Sequence, residues 1–531
     1  MNAKYALWQN RISFAPDLQS LTQMTPQEIA DAFSGNLAFG TGGLRGIMGL
    51  GTNRMNRYTV ERVTHGLAKV VLLREFPKSV GIAYDTRRNS AEFAQTVGSI
   101  LSAYGIAVYT FDKPMPTPAL SFTIRRLGLG WGVVITASHN PKEYNGYKVY
   151  NSNGVQLTDK MADEVTEAIE SVEFFEPLPE GRPGAVTVIG TDIEAAYCGE
   201  IVAFAQSERE PAEFSLVYSA LHGTGANTIP QVLKQLGFSP ICIQQNSDCD
   251  FGGLKTPNPE EPIVYAKAIE EAEKHGADML LATDPDCDRV GVMAKTKEGY
   301  EPLSGNQIGA LLIDYLAQTR GVAIGDTVIT TIVSGLLGEL VSESYGLEFI
   351  RLLTGFKYIG EYAEQLPNNK RFFFGYEESY GFLAGDGARD KDAVIASALI
   401  AQMGAFHHQK GKTLTGRWHE LSQKHGYCVE SLQSATLPPD RQKGIMSTLR
   451  GGISFEGMVK TEDYSKGING LPSSDVLKLY FNDGSWAAIR PSGTEPKIKL
   501  YAGVREKTHD FAKRSLEALT NKILAGMGVT L

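Results

Sequence analysis

Met279-Leu-Leu-Ala-Thr283 runs without a break into Asp284-Pro-Asp-Cys-Asp-Arg289. The first five residues read as a strand buried on both faces, the kind found in parallel sheets. The six that follow form a polar loop at its carboxyl end, where α/β sheets bind their ligands. The arrangement occurs three more times. Trp131-Gly-Val-Val-Ile-Thr-Ala137 leads into Ser138-His-Asn-Pro141, and Arg371-Phe-Phe-Phe374 leads into Gly375-Tyr-Glu-Glu-Ser-Tyr-Gly381. Trp486-Ala-Ala-Ile489 leads into Arg490-Pro-Ser-Gly-Thr-Glu-Pro496. The loops stand roughly 90 to 150 residues apart, about the size of a small domain. This spacing predicts four domains, 1–190, 191–304, 305–425 and 426–531, each giving one loop to a shared cleft. The clearest linker signal is Gly181-Arg-Pro-Gly184.

Between the strands lie longer amphipathic stretches, so the fold class is α/β. Thr25-Pro26-Gln27-Glu28 has a capping hydroxyl, proline at the first helical position and glutamate three after the cap, and Gly35 is placed to end that helix. Ser90 to Gly105 puts Phe93, Val97, Ile100, Leu101 and Tyr104 on one helical face. Ala393 to Phe406 is interrupted by Ser397 and Gln402 and is shorter than the ~20 residues a bilayer requires, so it reads as a buried helix. The first residues, Met1 to Arg11, show no signal-peptide pattern, and the expected location is cytoplasmic.

The 531 residues are 42% hydrophobic and 21% charged, which excludes a wholly disordered chain. With 51 Lys and Arg against 60 Asp and Glu, the net charge is −9, which argues against nucleic-acid binding. Five cysteines without a Cys-x-x-Cys pair argue against a disulfide framework or a thiolate zinc site.

In an extended loop, alternate side chains point the same way, so Asp284, Asp286 and Asp288 are expected to converge as hard oxygen ligands for Mg²⁺; the alternative, a solvated turn, is disfavoured by the buried strand that leads into them. The loop is not an EF-hand, because Arg289 stands where glycine is needed and Lys295 where glutamate is needed. Ser138 sits at a strand end without a Gly-x-Ser-x-Gly elbow, so hydrolase chemistry is not indicated. It reads either as an ordinary turn or as a serine that carries phosphate and ligates the same ion. His139 reads as a structural histidine or a catalyst. Lys148 reads as a surface charge, or as an acid/base group whose pKa burial and nearby cations lower. Glu377 and Ser379 share one face of an extended segment, where they suit sugar hydroxyls; a plain turn is the alternative. Arg490, Ser492, Gly493 and Thr494 combine a guanidinium, hydroxyls and a backbone nest fit for phosphate; a plain turn is the alternative. Phe39-Gly-Thr-Gly-Gly-Leu-Arg45-Gly46 has the wrong spacing for a dinucleotide fingerprint and no preceding strand, so Arg45 reads as an anion contact on a flexible loop. No Walker motif is present, and ATP use is not expected.

Together, in this order and spacing, the four loops resemble the α-D-phosphohexomutase superfamily, in its phosphoglucomutase/phosphomannomutase branch. The resemblance covers nearly the whole chain. It implies four domains around a central cleft, the first three of similar mixed α/β topology and the fourth a smaller, different α+β domain. It implies that Ser138 is a phosphoserine and that Asp284, Asp286 and Asp288 hold Mg²⁺ with it. Lys148 matches the family's proposed acid/base lysine, and Arg45 and Arg289 match active-site arginines. Glu377 and Ser379 match a sugar-binding pair, and Thr354-Gly355-Phe356 resembles a further sugar loop. Arg490, Ser492, Gly493 and Thr494 match a distal phosphate site, and Lys391 resembles another phosphate contact. Cys287 departs from the small residue usual between the second and third aspartates, and its side chain is expected to point away from the metal.

The implied activity is interconversion of glucose 1-phosphate and glucose 6-phosphate, with glucose 1,6-bisphosphate as intermediate and activator. The Glu-Glu-Ser form of the sugar loop resembles glucose-directed members. Mannose and pentose phosphates stand as alternative substrates, and a phosphatase or a non-catalytic binding protein as alternative functions. The expected partners are a small phosphosugar and, at most, a second copy of the chain; neither nucleic acid nor membrane is expected.

Overall fold

Runs of β-branched and aromatic residues that end in polar loops can bury both faces only inside a sheet covered by helices. The computed structural model describes residues 3–40, 43–207, 213–492 and 497–529. The chain divides into two units. One comprises Met1–Met293, Gly360–Gln365 and Gly381–Ala405; the other comprises Ala294–Ile359, Leu366–Tyr380 and Phe406–Leu531.

The first unit opens with a mixed sheet of seven strands: β1 (Phe39–Gly40), β2 (Gly43–Ile47), β3 (Ser79–Tyr84), β4 (Ala107–Phe111), β5 (Trp131–Ile135), β6 (Tyr144–Tyr150) and β7 (Val186–Ile189). Their order is β1-β2-β6-β5-β3-β4-β7. β5, β3, β4 and β7 are parallel, whereas β6 runs antiparallel to both β5 and β2. Every residue of β5 is buried, and Val133 and Ile135 pack in one core with Val63 and Leu67 of helix Arg57–Leu73. Ahead of the sheet, three short helices seat Trp8 among Phe33, Tyr58, Phe174 and Phe175. A second sheet follows, in which β8 (Leu216–Ser219), β9 (Ile241–Ile243), β10 (Met279–Thr283) and β11 (Val290–Thr296) lie in the order β11-β10-β8-β9. The strand that decided the fold is thus β10, with the predicted bounds and burial at every position.

In the second unit, Asp326–Thr331 lies between parallel neighbours Glu348–Leu352 and Arg371–Tyr376. An antiparallel five-stranded sheet then runs in the order Tyr427–Thr436, Lys497–Glu506, Trp486–Pro491, Leu477–Phe481, Met458–Asp463. Helices Pro439–Arg450 and His509–Met527 bury Leu449, Leu516 and Ile523 in one core with its strand residues. Among the described residues no helix is long and apolar enough to cross a membrane, and the described cysteines are free thiols.

Several local expectations are corrected. The helix after Thr25 has the full capping box but ends at Ala32, with Phe33 rather than Gly35 at its cap. The helix from Ser90 ends at Ala103, and Tyr104 lies beyond it, with its hydroxyl against His65 Nδ1 at 2.9 Å. The strand past Gly181–Gly184 still belongs to the first sheet, as β7. Arg45 lies within strand β2 rather than on a flexible loop, and it pairs with Gly146 of β6. Gly43 is there for close approach: a Cβ on it would stand 2.7 Å from the Tyr147 carbonyl oxygen. Thr41 and Gly42 lie outside the described residues.

Gly146 is held between both neighbours of β6. A Cβ there would stand 2.4 Å from Thr136 O and 2.8 Å from Leu44 O, both backbone atoms. Gly146→Ala is therefore expected to cost about 1–3 kcal/mol of stability and to lower activity with it, because the displaced strands carry Arg45 and Lys148. Thermal unfolding and steady-state rates check this.

Candidate active site

Strand β10 delivers Asp284 to the sheet edge, and a turn gathers the other two aspartates. Cys287 N–H donates to Asp284 O at 2.9 Å, and Cys287 has a left-handed φ of 54°. The backbone N–H groups of Asp288 and Arg289 both donate to Asp284 Oδ1, at 3.1 and 3.0 Å. The three carboxylates do converge, with ligand oxygens within 4.8 Å of one another and all three residues buried. They converge through this turn, not through extended alternation. Cys287 is buried, with its thiol toward Thr283 and Gly225.

The electrostatics point to a cation. Burial, together with the Asp288 and Asp286 charges, pushes the Asp284 carboxyl well up. Burial also opposes ionisation of Asp288, but Lys148, Lys391 and Arg289 outweigh it and hold that carboxyl low. Asp286 Oδ1 and Asp288 Oδ1 are buried and receive no hydrogen bond from the described residues. Two orphaned buried carboxylate oxygens in an all-oxygen donor set fit a hard divalent ion. Asp248, Cys249 and Asp250 also cluster. There, however, Asp248 accepts the N–H groups of Asp250 and Gly252, and Asp250 faces Arg88 and Lys142, both at 3.3 Å.

Ser138 follows β5. Its Oγ donates to Asp284 Oδ2 at 2.7 Å and lies 3.2 Å from His139 Nδ1. Its φ is +50°, a strained conformation for a residue with a Cβ, costing about 1–3 kcal/mol. Burial and then the Arg289 and Arg45 charges hold His139 well below the usual range, so its imidazole is neutral.

Lys148 comes from β6, with Nζ 2.9 Å from Asp286 Oδ2 and 3.1 Å from Asp288 Oδ2. The expectation of a lowered pKa is corrected. Burial does work against the ammonium, but Asp286 and Asp288 more than compensate, and the pKa rises. The lysine holds its proton. Lys391 approaches Asp288 Oδ2 at 3.3 Å, and its neighbour Asp390 accepts from Tyr150 Oη at 2.7 Å. Arg45 Nη1 donates to Asn140 Oδ1 at 2.9 Å, and Arg289 Nη1 donates to Glu260 Oε1 at 2.5 Å. The first unit thus brings together Ser138, His139, Lys148, Arg45, Arg289, Lys391 and the three aspartates.

The other candidates lie in the second unit. Strand Arg371–Tyr376 ends before Glu377, and residues 378–379 form a turn, so the predicted shared face of Glu377 and Ser379 is absent. Glu377 is buried and accepts Gly355 N–H at 3.0 Å, which joins the two predicted sugar loops. Thr354 Oγ1 is buried and has no hydrogen-bond partner among the described residues. Arg490 is half-buried near the end of its strand, and Ser492 N–H donates to Lys497 O at 2.7 Å. Gly493 and Thr494 lie outside the described residues.

Sequence reasoning missed Thr117, whose Oγ1 donates to Asp286 Oδ2 at 2.9 Å and whose N–H donates to Asp286 O at 2.9 Å. The signal was Pro116-Thr117-Pro118, a helix start that leaves a hydroxyl free to reach outward. It also missed Glu260, which reaches Arg289 only through the fold, and Asp390, which stands beside Lys391 in the chain.

Four family models match in order: phosphoglucomutase/phosphomannomutase α/β/α domain I at residues 36–176, domain II at 195–299, domain III at 304–425 and the C-terminal domain at 454–517. A phosphoglucomutase of Staphylococcus haemolyticus is 36% identical over 500 residues, covering 88% of this chain and 90% of the relative. One of Staphylococcus aureus is 32% identical over 552 residues, covering 97% and 98%. Among solved structures, the open form of Paramecium parafusin, a phosphoglucomutase, has a TM-score of 0.73 at 17% identity, covering 94% of this chain and 95% of that one. A phosphoglucomutase/phosphomannomutase family protein of Burkholderia thailandensis has a TM-score of 0.72 at 18% identity, covering 92% and 97%.

Glu378 offers a test of the second unit's electrostatics. Burial and the adjacent Glu377 charge raise its carboxyl from the usual 4.5 to about 7, while Thr331 Oγ1 donates to it at 3.1 Å. The folded state therefore keeps this proton where the unfolded chain has lost it, and stability falls as pH rises through that window. Glu378→Gln keeps the shape and cannot titrate. Its thermal midpoint is expected to fall less than that of the wild type between about pH 5 and about pH 8.

Proposed function

The chain belongs to the phosphoglucomutase/phosphomannomutase family, and from that membership we propose that it interconverts glucose 1-phosphate and glucose 6-phosphate through a phosphorylated Ser138. The single observation that carries the reading is Ser138 Oγ at 2.7 Å from a carboxylate of a buried three-aspartate cluster. The curated relatives are named phosphoglucomutases, which favours glucose over mannose or a pentose.

Two transfers of opposite sense account for the reaction. In the first, the bond from phosphorus to Ser138 Oγ breaks and one to the free hydroxyl oxygen of a sugar monophosphate forms. That hydroxyl loses its proton, Ser138 Oγ gains one, and a sugar bisphosphate results. In the second, the bond from the sugar's other phosphoryl group to its sugar oxygen breaks and one to Ser138 Oγ forms; Oγ gives up its proton and the sugar oxygen takes one up. The reading assigns the proton transfers to His139, whose Nδ1 lies 3.2 Å from Ser138 Oγ, and to Lys148, which holds its proton and can donate it. Arg45, Arg289 and Lys391 supply positive charge for the phosphoryl oxygens, the main demand of such a transfer. Asp284, Asp286 and Asp288, with a Ser138 oxygen, are the residues that would hold Mg²⁺, whose chemistry there is to neutralise charge on the transferring group. Glu377 and Ser379 take sugar hydroxyls beside Thr354 and Gly355. Arg490, Ser492, Gly493 and Thr494 take the phosphate that is not reacting.

A coupled assay of glucose 6-phosphate formation, with Mg²⁺ and a trace of glucose 1,6-bisphosphate, checks this. Turnover is expected to fall by about 10⁴-fold or more in Ser138→Ala, because the covalent carrier is gone, and to vanish on chelation. Turnover with ribose 1-phosphate alone would keep the chemistry and replace the substrate.

A further inference from the structure

Ser138 adopts a backbone conformation it would not choose, and a buried arginine holds it there. Asp85 and Arg87 leave β3 beside the end of β5, since Tyr84 and Ile135 are paired neighbours. The Arg87 side chain is wholly buried. Its Nη2 donates to the carbonyls of Ser138 and Asn140, both at 2.5 Å. Its Nη1 donates to those of Pro141 and Tyr144, at 2.8 and 3.1 Å. Asp85 Oδ2 lies 3.2 Å from Nε, and the Phe251 ring stacks 5.0 Å from the guanidinium carbon.

The other side of Ser138 is held as well. Its N–H donates to Thr136 Oγ1 at 2.8 Å, and Thr136 Oγ1 donates in turn to Asp85 Oδ2 at 2.7 Å. One ion pair, Asp85 with Arg87, therefore grips the N–H of Ser138 through Thr136 and its carbonyl directly. The same turn carries Asn140, whose side chain accepts from Arg45.

We propose that Arg87 is a positioning residue for phosphoryl transfer: its fork fixes the left-handed Ser138 backbone and so aims Oγ at the carboxylate cluster. Only a planar fork meets four carbonyls at once, so lysine cannot replace it. The inference rests on the phosphoserine reading above.

Arg87→Lys and the isosteric Thr136→Val test it in the full chain with Mg²⁺. Substrate contacts are untouched, so KM for glucose 1-phosphate is expected to stay within about twofold while kcat falls by about 10²-fold, the scale of a small misplacement of a reacting group. A purely structural role would lower the unfolding midpoint and leave the kcat of the folded fraction alone. If Arg87→Lys does not fold, Thr136→Val decides. A folded variant with kcat within about twofold of the wild type, or with KM rising as kcat falls, overturns the proposal. A wild type without mutase turnover would instead overturn the phosphoserine reading itself, so the two failures are distinct.

Discussion

Three carboxylates cannot lie buried within a few ångströms of one another unless positive charge is brought to them, and much of the first unit answers that constraint. The opposite treatment of two of them shows it. Asp284 is pushed up by burial and by its neighbours, while Asp288, against Lys148 and Lys391, is held down. The same field keeps Lys148 protonated despite its burial. Removing one cation from such a cluster leaves an uncompensated buried charge, a more damaging change than removing a matched pair. The oxygens of Asp286 and Asp288 that receive no hydrogen bond are where an ion fits.

The architecture supplies what this cluster requires. Buried parallel strands are stiff, and their carboxyl ends deliver side chains to fixed positions. Ser138 and Asp284 follow the carboxyl ends of β5 and β10, whereas Lys148 and Arg45 stand within β6 and β2, which pair antiparallel, and register pins all four strands. Short turns do the final aiming, and two of their residues, Ser138 and Cys287, have left-handed φ angles. The strain sits where the chemistry is proposed, as is common for sites that over-determine one conformation.

The strands were legible because a run such as Met279–Thr283 leaves few other structures open, and the loops were legible because reactive groups gathered at strand ends. The geometry within the loops was less so. Extended alternation suggested how Asp284, Asp286 and Asp288 meet, whereas backbone N–H groups turning onto Asp284 Oδ1 bring it about. Arg45 looked loop-borne because glycines surround it, yet Gly43 is small so that β2 can lie against β6. The direction of the Lys148 shift depended on which charges face it, and sequence does not say. Thr117, Glu260 and Arg87 act through contacts across long sequence separations, so nothing local announced them.

The central claim is that Ser138 is a covalent phosphoryl carrier, and a rapid-quench experiment tests it most directly. Enzyme labelled from glucose 1,6-bisphosphate would be mixed with unlabelled glucose 6-phosphate and its peptides mapped over one turnover. The account predicts label on the Ser138 peptide that passes to sugar bisphosphate as fast as the enzyme turns over, with no free phosphate. Label on another residue, label that never leaves Ser138, or label released as free phosphate would contradict it.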